Sequence, residues 1–247
     1  MILSDFLRTT RAPRYSLTFA FPLLAAYELL AFSLSHGDIT GVRNGADVLL
    51  KSLFVTLGGR NGLALFGALL VGGGAALVWR DVQRSGKIET RYLLWMLVES
   101  VVYALAFGLV AGTLTMLLVP GLALVGDTPM LTAAALEDFS LPTQLMISLG
   151  AGIYEELLFR VILVGGLAWA GGKVLGLARP AAGVLAVVVG ALVFSAFHYI
   201  GPYGEALELD SFTFRTVAGL LFSGLYLVRG FGITAWTHAL YDVFLTV

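Results

Sequence analysis

Long apolar runs separated by short polar links dominate this chain. They cover residues 15–35, 62–79, 92–119, 142–170, 181–200, 216–228 and 233–247. Most match the ~17–25 residues that a helix needs to cross a bilayer. The last two are shorter and are separated only by Arg229-Gly230-Phe231-Gly232, a pattern that predicts a tight helical hairpin. The fold class expected is therefore all-α, a polytopic membrane helical bundle of about seven to eight spans.

Between the first two runs, Ala46, Leu49, Leu50, Leu53, Phe54 and Leu57 recur at helical spacing opposite Asp47 and Lys51. That periodicity predicts an amphipathic helix lying on the membrane interface with its charges outward. Residues 133–139 read the same way. No repeat or soluble segment interrupts the chain. It divides into N-terminal spans with interfacial helices (1–140) and a polar-centred membrane core (141–247), together one membrane domain.

Composition sharpens this picture. Hydrophobic residues make up 58% and charged residues 13%, against roughly a quarter charged in soluble domains. Net charge is −1 with no basic tail, so nothing favours nucleic acid as a partner. The absence of cysteine excludes disulfides, thiolate metal sites and a cysteine nucleophile. Arg8, Arg11 and Arg14 precede the first apolar run, which has no small-residue cleavage site after it and reads as a retained signal anchor. With the N-terminus cytoplasmic, eleven Lys and Arg residues fall inward and four outward (Arg43, Lys51, Arg60, Arg215). The positive-inside rule thus favours N-in, C-out in the cell membrane.

A charge inside a span costs roughly 2.5–3.5 kcal/mol, so each needs a partner or a purpose. The fourth run holds Glu155-Glu156-Leu157-Leu158-Phe159-Arg160, the fifth Phe194-Ser195-Ala196-Phe197-His198, and the last His238-Ala239-Leu240-Tyr241-Asp242. Glu156 and Arg160 are four apart and can neutralise each other; so can His238 and Asp242. Glu155, rotated by about 100°, is left without a local partner. These types supply what amide hydrolysis requires. A carboxylate takes a proton from water, one imidazole orients that water, and a second imidazole with its carboxylate stabilises an oxyanion. Glu28 and Glu99, also within apolar runs, are expected to hydrogen-bond across helices. Gly108 and Gly112, four apart, are expected to mark close packing inside the chain.

Glu-Glu-x-x-x-Arg, then Phe-x-x-x-His, then His-x-x-x-Asp on three successive apolar runs resembles the CPBP (Abi) family of intramembrane proteases, which includes the CAAX-processing endopeptidases. The resemblance covers residues 149–247. It implies that Glu155 and His198 activate water and that His238 and Asp242 form the oxyanion site, with Glu156, Arg160 and Phe194 as supports. The CAAX enzymes carry asparagine where Asp242 stands, which leaves Asp242 to orient His238 or to bind a metal. If zinc is the cofactor, its ligands would come from Glu155, His198, His238 and Asp242. A metal-free, glutamate-driven mechanism is preferred. The expected reaction is hydrolysis of a peptide bond in a peptide or lipidated-protein substrate near the cytoplasmic leaflet. The rival readings are an immunity or scaffold protein that retains the motif, and an ion or proton transporter. The latter calls for inverted repeats that the chain lacks.

Depth poses one difficulty. Counted at ~1.5 Å per residue across a ~30 Å core, Glu155 and His238 fall within about 10 Å of the inner face, whereas His198 falls about 26 Å from it. The fifth span is therefore expected to start later, near Gly190, and run on past Gly201, or else to be tilted or broken.

Overall fold

The structure, a computed structural model, describes residues 3–34, 43–119, 139–201 and 204–247; the expected amphipathic segment 133–139 lies outside them except for Phe139. All regular structure among the described residues is helical. A short amphipathic α1 (Leu3–Thr10) leads into α2 (Pro13–Leu34), with Pro13 at the first helical position, where its missing N–H costs nothing. Next come α3 (Gly45–Gly58), α4 (62–85, with a π segment Ala68–Gly73) and α5 (Thr90–Leu118). The helix α6 runs 141–173 and is wound as π-helix over Ala151–Val164, the stretch that carries both motif glutamates. It is followed by α7 (Arg179–Phe197), α8 (Leu209–Arg229) and α9 (Phe231–Thr246).

Five helical stretches are long and apolar enough to cross a membrane: Pro13–Leu34, Gly45–Ser85, Thr90–Leu118, Arg179–Phe197 and Leu209–Arg229. They surround α6 and α9, and the bundle is a polytopic helical membrane protein. Large apolar side chains such as Leu105, Leu109, Leu117 and Trp169 point outward, as lipid allows and water would not. Gly230, with φ of 80°, makes the hairpin turn between α8 and α9. The eighth helix begins earlier than its hydropathy indicated. Arg215, read as a loop cation, is buried and donates to Glu205 at 2.5 Å and to the Tyr199 hydroxyl at 3.1 Å, so helix continues through Leu209–Arg215.

The reading of α3 is inverted. Asp47 is fully buried, while Leu49, Leu53 and Leu57 are exposed. Lys51 pairs with Asp47 at 2.7 Å and with Glu28 of α2 at 2.9 Å. Arg43 pairs with Asp47 at 3.3 Å, and the Tyr27 hydroxyl donates to Asp47 at 2.7 Å. Because Arg43 and Lys51 both reach Glu28, α3 crosses over the end of α2. Lipid accepts the leucines as readily as a protein core does, whereas the charges find partners only inside. Glu28 and Glu99 do bond across helices: Tyr154 donates to Glu28, and Arg229 donates to Glu99 at 2.5 and 2.7 Å. Of the spaced glycines, a Cβ on Gly108 would meet the Tyr241 ring at 3.0 Å, whereas Gly112 has open space.

The ends of the helices define two faces. At one, Arg14 pairs with Asp81, the Glu89 amide donates to the Tyr15 hydroxyl, and Arg229 donates to the Leu7 carbonyl. At the other, Gly150 packs beside Tyr27 and Asn44, and the α7–α8 link is tied by the Glu205 amide donating to the His198 carbonyl at 3.1 Å.

Candidate active site

The three polar motifs meet. Glu155 Oε2 lies 4.0 Å from His198 Nε2, although the two belong to different helices. The depth difficulty disappears when counting starts from the α6–α7 hairpin. Glu155 lies about 27 Å before the end of α6 and His198 about 28 Å beyond the start of α7, at ~1.5 Å per residue. Antiparallel neighbours joined by a short turn bring such positions level. The seventh helix neither starts near Gly190 nor runs past Gly201; it ends at Phe197, with His198 as its cap.

His198 Nδ1 donates to the Phe194 carbonyl at 2.9 Å. A carbonyl only accepts, so Nδ1 carries the proton, and in the neutral ring Nε2 offers its lone pair toward Glu155. The other carboxylate oxygen of Glu155 accepts from the Asn44 amide at 2.8 Å. Glu155 thus has a partner that sequence reasoning missed. Asn44 is itself fixed at two points. Its side-chain oxygen accepts the Ala46 amide at 2.9 Å, capping α3, and its own backbone amide donates to the Tyr27 hydroxyl at 3.4 Å.

His238 is held differently from the expectation. Its Nδ1 donates to Glu156 at 2.7 Å, whereas Nε2 stands 3.7 Å from Asp242, beyond hydrogen-bond reach. Glu156 therefore links two motifs, since Arg160 Nε also stands 3.1 Å from its second oxygen. The guanidinium nitrogens of Arg160 form no hydrogen bond; the group lies 4.4 Å over the Phe194 ring and 5.5 Å over Phe222. Aromatic faces replace the missing acceptors. Phe194 also meets the His198 ring edge-on at 4.9 Å, and Phe222 stacks on His238 at 4.3 Å. Phe194 holds the place expected of it; Phe222 joins the cluster without having carried a sequence signal.

Among the described residues, no three His, Asp or Glu side chains are gathered as ligands for one metal ion. The four candidates pair off instead, with His198 toward Glu155, and with His238 bonded to Glu156 and only approaching Asp242.

Residues 137–244 match the family model of the type II CAAX prenyl endopeptidase Rce1-like proteins. Over these residues the chain is similar to that family. This agrees with the CPBP, CAAX-protease-like motif order. The Rce1-like segment includes every motif residue but not Asn44. No curated protein and no solved structure matches the chain.

Proposed function

We propose that this protein is an intramembrane endopeptidase in which Glu155 and His198 activate water. The observation that carries this reading is the facing of a carboxylate oxygen and an imidazole nitrogen at 4.0 Å, each anchored from behind by its own hydrogen bond. A water about 2.8 Å from both atoms would lie off the line between them and donate one proton to each. Its lone pairs then face the substrate. Glu155 accepts the proton as the water oxygen bonds to the carbonyl carbon, and a tetrahedral oxyanion forms. The same proton passes to the amide nitrogen as the C–N bond breaks. His238, donating to Glu156 through Nδ1 and bearing a second proton on Nε2, is the donor for the oxyanion. Asp242 at 3.7 Å serves as counter-charge to that ring. No step is assigned to a metal ion.

Beside this cluster, Leu49, Leu158, Phe159, Ile162, Val193 and Phe197 line an apolar crevice of about 390 Å³. It suits an apolar side chain or lipid group of a peptide substrate. The test is cleavage of fluorogenic peptides, with and without a prenyl group, by the full chain in nanodiscs. Cleavage by the native protein, lost in Glu155→Gln with the protein still folded, supports the proposal. Undiminished cleavage by Glu155→Gln overturns it. A scaffold role would be favoured instead if neither protein cleaves any peptide of the panel.

A further inference from the structure

The fold sorts its charges by face in a way that bears on which side of the membrane supplies the substrate. Of the fifteen Lys and Arg residues, Arg160 is buried inside the bundle. Ten gather at the face formed by α1, the α4–α5 link, the α6–α7 hairpin and the α8–α9 turn: Arg8, Arg11, Arg14, Arg80, Arg84, Lys87, Arg91, Lys173, Arg179 and Arg229. The other face has Arg43, Lys51, Arg60 and Arg215. Ion pairing widens the contrast. Arg43 and Lys51 are neutralised by Asp47 and Glu28, and Arg215 by Glu205, which leaves Arg60. On the basic face, Arg11, Arg80, Arg84, Lys87, Lys173 and Arg179 form no ion pair among the described residues. The links there are short, the condition under which Lys and Arg placement sets orientation.

The Glu155–His198 cluster belongs to the opposite face. Tyr27, which holds Asn44, lies about 21 Å along α2 from Pro13 at ~1.5 Å per residue. In a ~30 Å core that is about 9 Å from the far boundary. Exposure rises toward that boundary. Glu156 and Arg160 are 1% exposed at their side chains, whereas His198 and Asp242 reach 25% and 23%. Access therefore runs past the α7–α8 link and the end of α9.

We infer that the cluster opens on the extracytoplasmic side, and that the substrate is a segment of an exported or membrane-anchored protein presented from that side. The orientation stands on charge placement alone; the substrate class rests also on the hydrolase reading above. Both a site near the cytoplasmic leaflet and a cytoplasmic N-terminus were expected from sequence, but with the N-terminus cytoplasmic the Glu155–His198 pair lies nearer the opposite boundary. The charges decide for the second. A prenylated C-terminus in the cytoplasm would face the basic end of the bundle, away from the exposed edges of His198 and Asp242.

The native chain has no cysteine, so single cysteines report sidedness without background. Ala206→Cys sits on the link over the cluster and Ser85→Cys on the basic face, both exposed. In intact cells, a membrane-impermeant maleimide is expected to label Ala206→Cys, and to label Ser85→Cys only after lysis. The reverse labelling overturns the inference and leaves the hydrolase reading untouched. Vesicles sorted by the same label then receive an impermeant fluorogenic peptide from outside. Cleavage confined to vesicles with residue 206 outward, and absent in Glu155→Gln, supports the substrate class. Cleavage confined to the other vesicles refutes it. Correct labelling with no cleavage in either population refutes the hydrolase reading and leaves the orientation standing.

Discussion

Asn44 offers the sharpest perturbation, because its two functions separate by substitution. Its amide donates to Glu155 at 2.8 Å, and its side-chain oxygen caps α3 through the Ala46 amide. A hydrogen bond to a charged group contributes roughly 1.5–3 kcal/mol. At about 1.4 kcal/mol per decade, loss of that bond lowers kcat about 10- to 150-fold. The cap is worth ~1 kcal/mol of stability when removed to alanine. Asn44→Ser keeps a capping oxygen but cannot reach Glu155 with a donor, whereas Asn44→Ala loses both. Both variants should therefore lose kcat to the same degree with KM little changed. Only Asn44→Ala should also melt lower. Peptide-cleavage kinetics and thermal melts in one detergent check this. Full kcat in Asn44→Ser would refute the claim that Asn44 positions the carboxylate.

Other substitutions probe the scaffold around the pair. Arg160→Ala removes the buried cation beside Glu156, leaving it the His238 bond alone, and should destabilise the protein by ~3–5 kcal/mol, read as a large drop in melting temperature. Gly152→Ala places a Cβ 2.6 Å from that of Ala239 and should cost ~1–3 kcal/mol by prising α6 from α9; a silent Gly152→Ala would contradict that packing. Asp242→Asn separates the metal-free from the metal-dependent reading. Cleavage should persist without added ions, whereas stoichiometric zinc lost together with activity would establish a metal site.

How much of this was legible in the sequence depends on how far each signal had to travel. Glu156 with Arg160 is a four-residue spacing on one helix, and it holds. The meeting of Glu155 with His198 was legible as a pattern of three motifs, although counting from the wrong helix end set them apart in depth. Asn44 was not legible. It stands 111 residues from Glu155, at a helix cap outside the Rce1-like segment, and a capping asparagine carries no sign of a second duty. The pairing of His238 also escaped. Local spacing offered Asp242, but α9 packs on α6 so that Glu156 is nearer. For α3, the periodicity was right and its direction wrong, because an amphipathic pattern does not say whether its charged side meets water or a buried counter-charge such as Glu28.

The central claim is that Glu155 and His198 act on one water as a unit. A double-mutant cycle on kcat with Glu155→Gln, His198→Ala and the pair tests it most directly. Groups that serve one step are strongly non-additive, so the double variant should be about as slow as the worse single variant. Losses that multiply, with each single variant keeping its own partial activity, would show two independent roles and contradict the account.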